Sequence, residues 1–247
     1  MDRASCYSAG FFVTRRVPAP IWSGVATLLP QTIVSASSCL CRFLPDSWAI
    51  EWCKCERRER EEAARTFGVQ PDRLDSVIEN VTRLVADEAS YGFPNLCYTL
   101  EAAQTAIQLV CPGAQDLGIF ELGLPKDRLE EFCLATTPPP SRPGYAPNGE
   151  AGVLTALRRR IGLLESGVEL GFEPLVFNFS LSCSWLCNGF EKVIAEKLGI
   201  RPNRHGLLGD LASADRAVAY MADETVSGED GLWLPWLIVE HDALVAR

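Results

Sequence analysis

FEPLVFNFSLSCSWLCNGFEKVIAEKLGI, residues 172–200, changes its periodicity halfway along. Leu175, Phe177 and Phe179 alternate with Val176 and Asn178, the period of two that marks a strand. From Asn188 the spacing becomes helical, with Phe190, Val193, Ile194 and Leu198 on one face. Asn188 and Glu191 stand at capping-box spacing, Gly199 closes the helix and Pro202 prevents its resumption. A strand feeding an amphipathic helix predicts an α+β domain.

Working outward, DLASADRAVAYMADE (210–224) carries Asp210 as a cap and places Leu211, Ala214, Val218 and Met221 on one face. LWLPWLIVE (232–240) reads as an apolar final strand, and Pro235 within it points to an edge position or a bulge. Before residue 172 the pattern is mainly helical. Charged residues 56–68 predict a solvated helix ending at Gly68, and 71–90 predict a helix burying Leu74, Val77, Ile78, Val81, Leu84 and Val85. Residues 99–110 and 126–134 predict two more, separated by a short strand at 116–124. Residues 152–167 predict a helix with Val153, Leu154, Leu157, Ile161 and Leu164 as its buried stripe. Its basic triplet, Arg158, Arg159 and Arg160, reads as internal salt-bridge partners. The expected fold is therefore α+β, with a mostly helical first half and a small mixed sheet packed by amphipathic helices in the second half.

Domain organisation follows from charge and proline. Residues 1–45 hold one acid, Asp2, against Arg3, Arg15, Arg16 and Arg42, whereas the other 202 residues hold 31 acids and 19 bases. The first 45 residues therefore read as a basic disordered extension or a targeting leader, and 46–247 as a single domain. Five prolines and two glycines within 136–149 make that stretch a long loop. Three prolines interrupt the uncharged run from Val17 to Cys41, which excludes a membrane-spanning helix there. A cytoplasmic setting is expected, or an exported or organellar one if the leader is cleaved.

A net charge of -9 excludes a phosphate-binding surface and so a nucleic-acid partner; a basic or neutral protein suits it better. No glycine-rich phosphate loop, paired-histidine zinc motif or nucleophile-elbow serine is present, and no cofactor is expected. Four side chains in the opening stretch and its continuation escape the strand–helix account: Cys183, Trp185, Cys187 and His205. A thiol enzyme would use Cys183 or Cys187, with His205 or His241 as base and Asn203 to orient it. Cys39, Cys41, Cys53 and Cys55 form two Cys-x-Cys pairs that could close a zinc site, although the usual knuckle has two residues between its cysteines. Trp185, Trp233 and Trp236, with Asn188, are candidate partner contacts, because tryptophan anchors interfaces.

The leading expectation is a non-enzymatic, acidic protein-binding module. In general character, small and acidic without a catalytic motif, the chain is similar to bacterial immunity proteins that mask toxins, which implies an inhibitory or regulatory binding role. The alternative is a thiol-dependent hydrolase or transferase.

Overall fold

The computed structural model describes residues 3–18, 29–37, 70–87, 91–92, 96–110, 117–136, 153–178, 181–223 and 231–242. Seven strands form one sheet: β1 (Cys6–Arg15), β4 (Tyr91–Gly92), β5 (Leu96–Cys97), β6 (Leu117–Pro125), β7 (Val168–Asn178), β8 (Leu181–Ser184) and β9 (Trp233–His241). Their order across the sheet is β4-β5-β1-β6-β9-β7-β8, and the paired strands are antiparallel. Strands β2 (Val17–Pro18) and β3 (Thr32–Ile33) pair separately. The helices are α1 (Leu74–Ala86), α2 (Leu100–Val110), α3 (Leu129–Thr136), α4 (Val153–Arg158), α5 (Phe190–Leu198) and α6 (Leu211–Met221).

The strands from the two ends of the described chain, β1 and β9, flank β6 and enclose it on both edges. Both faces of this centre are covered. On one face α1 and α2 bury Val77, Val81, Ala103 and Ile107 against Phe11, Val13 and Ile119. On the same face α5 and α6 bury Phe190, Ile194, Ala214 and Met221 against Phe172, Val176 and Trp233. On the other face α3 and α4 contribute Leu129, Phe132, Leu154 and Leu157 to a core with Phe12, Phe120, Leu175, Trp236 and Ile238. Strands buried on both faces need apolar residues at consecutive positions, and the burial of all nine β6 residues except Gly118 follows.

Several expectations are corrected. The α+β class holds, but the first half is not mostly helical: β1 to β5 and most of β6 lie in it, and the first helix among the described residues begins at Leu74. The sheet is neither small nor mixed. Residues 6–15, expected in a disordered extension or leader, are a central strand, and Ile33 and Val34 are buried in the core. The helix at 152–167 ends at Arg158, because Arg160 turns the backbone to φ 52° and the chain then pairs Gly162 with Tyr7. Ile161 and Leu164 therefore leave the expected stripe and are exposed. The N-cap of α5 is Gly189 at φ 67°, not Asn188, which closes the preceding 3-10 turn Trp185–Asn188. The predicted helix at 56–68 and most of the proline-rich loop lie outside the described residues.

Pro235 is not at an edge either; β9 is central. It sits opposite Pro174 of β7. Two residues earlier, Phe172 exchanges both backbone hydrogen bonds with Leu208, so its polar groups point away from β9. By the strand's period of two, Pro174 points the same way, and Pro235 points toward β6 beyond the last pair, Gly123 with Leu237. Neither missing N–H removes a ladder bond.

Gly10 makes the register shift in β1 between Ser8 and Gly10, at φ +112°. A Cβ there would stand 2.7 Å from the carbonyl oxygen of Cys97, part of the backbone of β5. Gly10→Ala is expected to lower the unfolding free energy by about 2 kcal/mol, read from urea denaturation. An unchanged midpoint would mean that the first strand is detached from the core.

Candidate functional site, a carboxylate-floored pocket

A cavity of about 240 Å³ opens on the face that β1 and β6 share with α1, α2, α5 and α6. Its floor is Ser8, Gly10, Phe11 and Glu121; Tyr98 to Glu101, at the start of α2, form one wall; Ala156, Arg159, Ile161, Gly162 and Leu164 form the other.

Glu121 is 1% exposed, on a strand that is otherwise apolar. One carboxylate oxygen, Oε2, lies 3.0 Å from His241 Nε2 and accepts the Leu164 amide at 3.2 Å. The other, Oε1, accepts no hydrogen bond from any described residue. His241, on β9, is buried too, with the Phe11 ring edge-on at 5.6 Å. Gly167 packs against its far side: a Cβ there would fall 2.9 Å from Nδ1, and φ is +104°.

Arg3 holds the segment that walls the pocket. Its guanidinium donates to the carbonyls of Leu164, Glu165, Ser166 and Gly167 at 2.8 to 3.2 Å and meets the Glu169 carboxylate at 3.3 Å. Ser8 donates its amide to the Ile161 carbonyl at 2.8 Å. The segment's backbone is thus tied at several points; Leu163 packs inward, while Ile161 is 57% exposed and Leu164 38%. Arg159 stacks its guanidinium on Tyr98, 4.8 Å from the ring centroid. Arg158, Arg159 and Arg160 are all exposed, and among the described residues none forms an ion pair, which corrects the salt-bridge expectation.

The residues singled out from sequence fall elsewhere. Trp185, Trp233 and Trp236 are at most 2% exposed. Trp236 packs against Phe132 and Phe177, and Trp233 against Phe190, so each serves the core and not the surface. The side chain of Asn188 lies outside the described residues. Cys183 is buried opposite Val176, while Cys187 Sγ meets Ser37 Oγ at 3.1 Å and the Ser184 amide at 3.4 Å. His205 reaches neither thiol. Its Nδ1 faces Arg16 and its Nε2 faces Arg204, and burial together with both arginines holds its pKa below the ordinary value. Asn203 accepts from the amides of His205 and Leu207 and donates to the Leu170 carbonyl, which organises the loop. The cysteine–histidine constellation is therefore not assembled.

Among the described residues no group of three or more metal-ligating side chains converges, and Cys39, Cys41, Cys53 and Cys55 lie outside them. Burial pushes the Cys6 thiol up to about 11 and the Cys97 thiol up to about 12, so both stay protonated at neutral pH. No helix among the described residues is long and apolar enough to cross a membrane.

A second buried carboxylate, Glu173 of β7, occupies the opposite face. It accepts from Ser35 Oγ at 2.5 Å and the Ala36 amide at 2.8 Å, which ties residues 35–37 across the sheet. Glu173 is wholly enclosed.

No family model, curated protein or solved structure matches the chain.

Burial raises the Glu173 pKa from the ordinary carboxylate value to about 7, against partly compensating hydrogen bonds from Ser35, Ser184 and Ala36. Between the two values the folded chain holds a proton that the unfolded chain has released. The stability contributed by this group is present below the unfolded value and is lost as pH rises through about 7, by up to about 3 kcal/mol. Urea unfolding in mildly acidic and mildly alkaline buffer is expected to show this fall, and Glu173→Gln, uncharged at both, to flatten it. Equal slopes for the two proteins would exclude Glu173 as the source.

Proposed function

We propose that the chain is an acidic, non-enzymatic protein-binding module that engages a basic protein partner through the face around the Glu121 pocket. The observation that carries this reading is the wall of that pocket. Ile161 and Leu164 expose apolar side chains on one short stretch whose backbone Arg3 and Ser8 hold in place. Exposed apolar side chains grouped beside a cavity mark contact surfaces, and a rigid backbone keeps the entropy lost on binding small.

The net charge of -9 supports a basic partner, because it accelerates encounter with a positively charged surface. At the pocket itself the charges are mixed: Glu101 and Glu121 line it together with Arg159. Long-range attraction therefore belongs to the whole molecule, and orientation to the local pattern. The anchoring role expected of tryptophan passes to the aliphatic rim, since the three tryptophans are enclosed.

The test is affinity capture from the native host at low salt, followed by a comparison of variants on the recovered partner. Combining Ile161→Ser with Leu164→Ser is expected to weaken binding by about tenfold or more and to shift the unfolding midpoint little. Leu134→Ser is the control: that side chain is 81% exposed on α3, across the sheet from the pocket. Association should also slow as salt is added. A partner that is insensitive to the double variant, or that is acidic, would overturn the reading.

A further inference from the structure

We infer that the Glu121 pocket receives a basic side chain, lysine or arginine, projecting from the partner; this rests on the protein-binding reading above. The starting point is the unused oxygen. Glu121 lines the cavity and is almost wholly buried, yet Oε1 accepts no hydrogen bond from any described residue while Oε2 is committed to His241 and Leu164. Oε1 is not among the fully enclosed, unpartnered side-chain atoms, which among the described residues are Trp185 Nε1, Glu191 Oε2 and Trp236 Nε1; it keeps its accessible surface on the cavity, where a guest that brings a donor can take the place of solvent. A cationic donor suits it best, because a charge-assisted hydrogen bond inside a largely desolvated cavity is stronger than a neutral one.

Size and lining agree with that guest. At about 240 Å³ the cavity falls below the roughly 300 Å³ at which sites for drug-sized ligands begin, so it suits one side chain. Phe11, Leu100, Ile161 and Leu164 offer an apolar sleeve for a methylene stem whose charged head reaches the floor. Two carboxylates, Glu101 and Glu121, line the cavity against one guanidinium, that of Arg159. Arg159 already shows the aromatic wall holding a cation, by its seat on Tyr98. Being exposed, Arg159 can swing into solvent as the guest enters, and its charge opposes that guest until it does.

The opposite chemistry is an anion held by Arg159 and the N-terminus of α2, with Glu121 repelling it. Arg159→Ala separates the two: it strengthens binding of a cation and abolishes binding of an anion.

The experiment titrates the full-length, isotope-labelled chain with the N-acetyl N-methylamides of arginine, lysine, leucine and glutamate, following the amide resonances of Gly10, Tyr98 and Gly162. The arginine or lysine probe is expected to shift these resonances. Glu121→Gln, which keeps an acceptor for His241 and Leu164, should weaken that binding by about tenfold or more. Arg159→Ala, a change at an exposed position, should tighten it several-fold. The inference is overturned if the glutamate probe binds best and is lost in Arg159→Ala. It is equally overturned if leucine binds as well as the cations and Glu121→Gln changes nothing, or if no probe moves the pocket resonances. A silent pocket together with a basic partner that still depends on Ile161 and Leu164 would remove this inference and leave the protein-binding reading standing.

Discussion

Glu121 and His241 meet across the junction of β6 and β9, and the central sheet is tied to that contact. The two strands pair with Ile119 opposite His241 and Glu121 opposite Val239, so carboxylate and imidazole are diagonal neighbours on one face. A slip of one residue would carry one of them to the other face and leave a buried polar group unsatisfied. Apolar residues at consecutive positions, as in Leu234 to Val239, impose little preference between the two faces. The polar pair supplies it. Because β9 also pairs with β7, the register set at Glu121 passes on to β7 and β8.

The same device appears on the opposite face. Glu173 accepts an amide from Ala36 as Glu121 accepts one from Leu164, and in both cases the donor belongs to an irregular segment crossing the sheet. Each segment needs partners for backbone groups that no ladder supplies, and a carboxylate set in a strand offers acceptors at the right depth. Arg3 does the complementary work, giving its donors to four consecutive carbonyls. Two buried acids and one arginine thus fix the segments that neither strand nor helix propensity would order. The acids differ in surroundings: Glu173 is enclosed by its hydrogen-bond partners, whereas Glu121 keeps one oxygen on a cavity.

Elements with a clear period were legible in the sequence. The spacing in 99–110, 116–124, 172–180 and 210–224 corresponds to α2, β6, β7 and α6, because each has one dominant packing pattern. The first strand was not legible for two reasons. AGFFV is too short for its period to be distinctive, and the arginines around it resemble a targeting segment. Those arginines are structural: Arg3 pairs with Glu169 and Arg16 with Glu240, so the basic start complements the acidic remainder. The pocket was hidden because its parts lie far apart in the chain. Glu121 looks like an exposed position in a short apolar run, and only β9, arriving from the other end, brings His241 beside it. The tryptophans misled for a simpler reason: composition gives no direction, and at β9 both faces are covered, so alternation of Trp233 and Trp236 cannot expose either.

Sequence charge and local charge answer different questions here. A net -9 sets the sign of the field a distant partner feels, but at contact range screening leaves only neighbours within about 10 Å to count. Around the pocket those neighbours are of both signs, so the acidic total alone cannot choose the guest. Desolvation can. Arg158 and Arg160 stand in water, where their influence on a contact is weak, while Glu121 lies beneath the surface, where the effective dielectric is lower and the same charge acts more strongly. A partner group that reaches the floor is therefore judged mainly by Glu121, and one that stops at the rim by the arginines. Depth of insertion, set by the length of the incoming side chain, converts a mixed surface into a selective one.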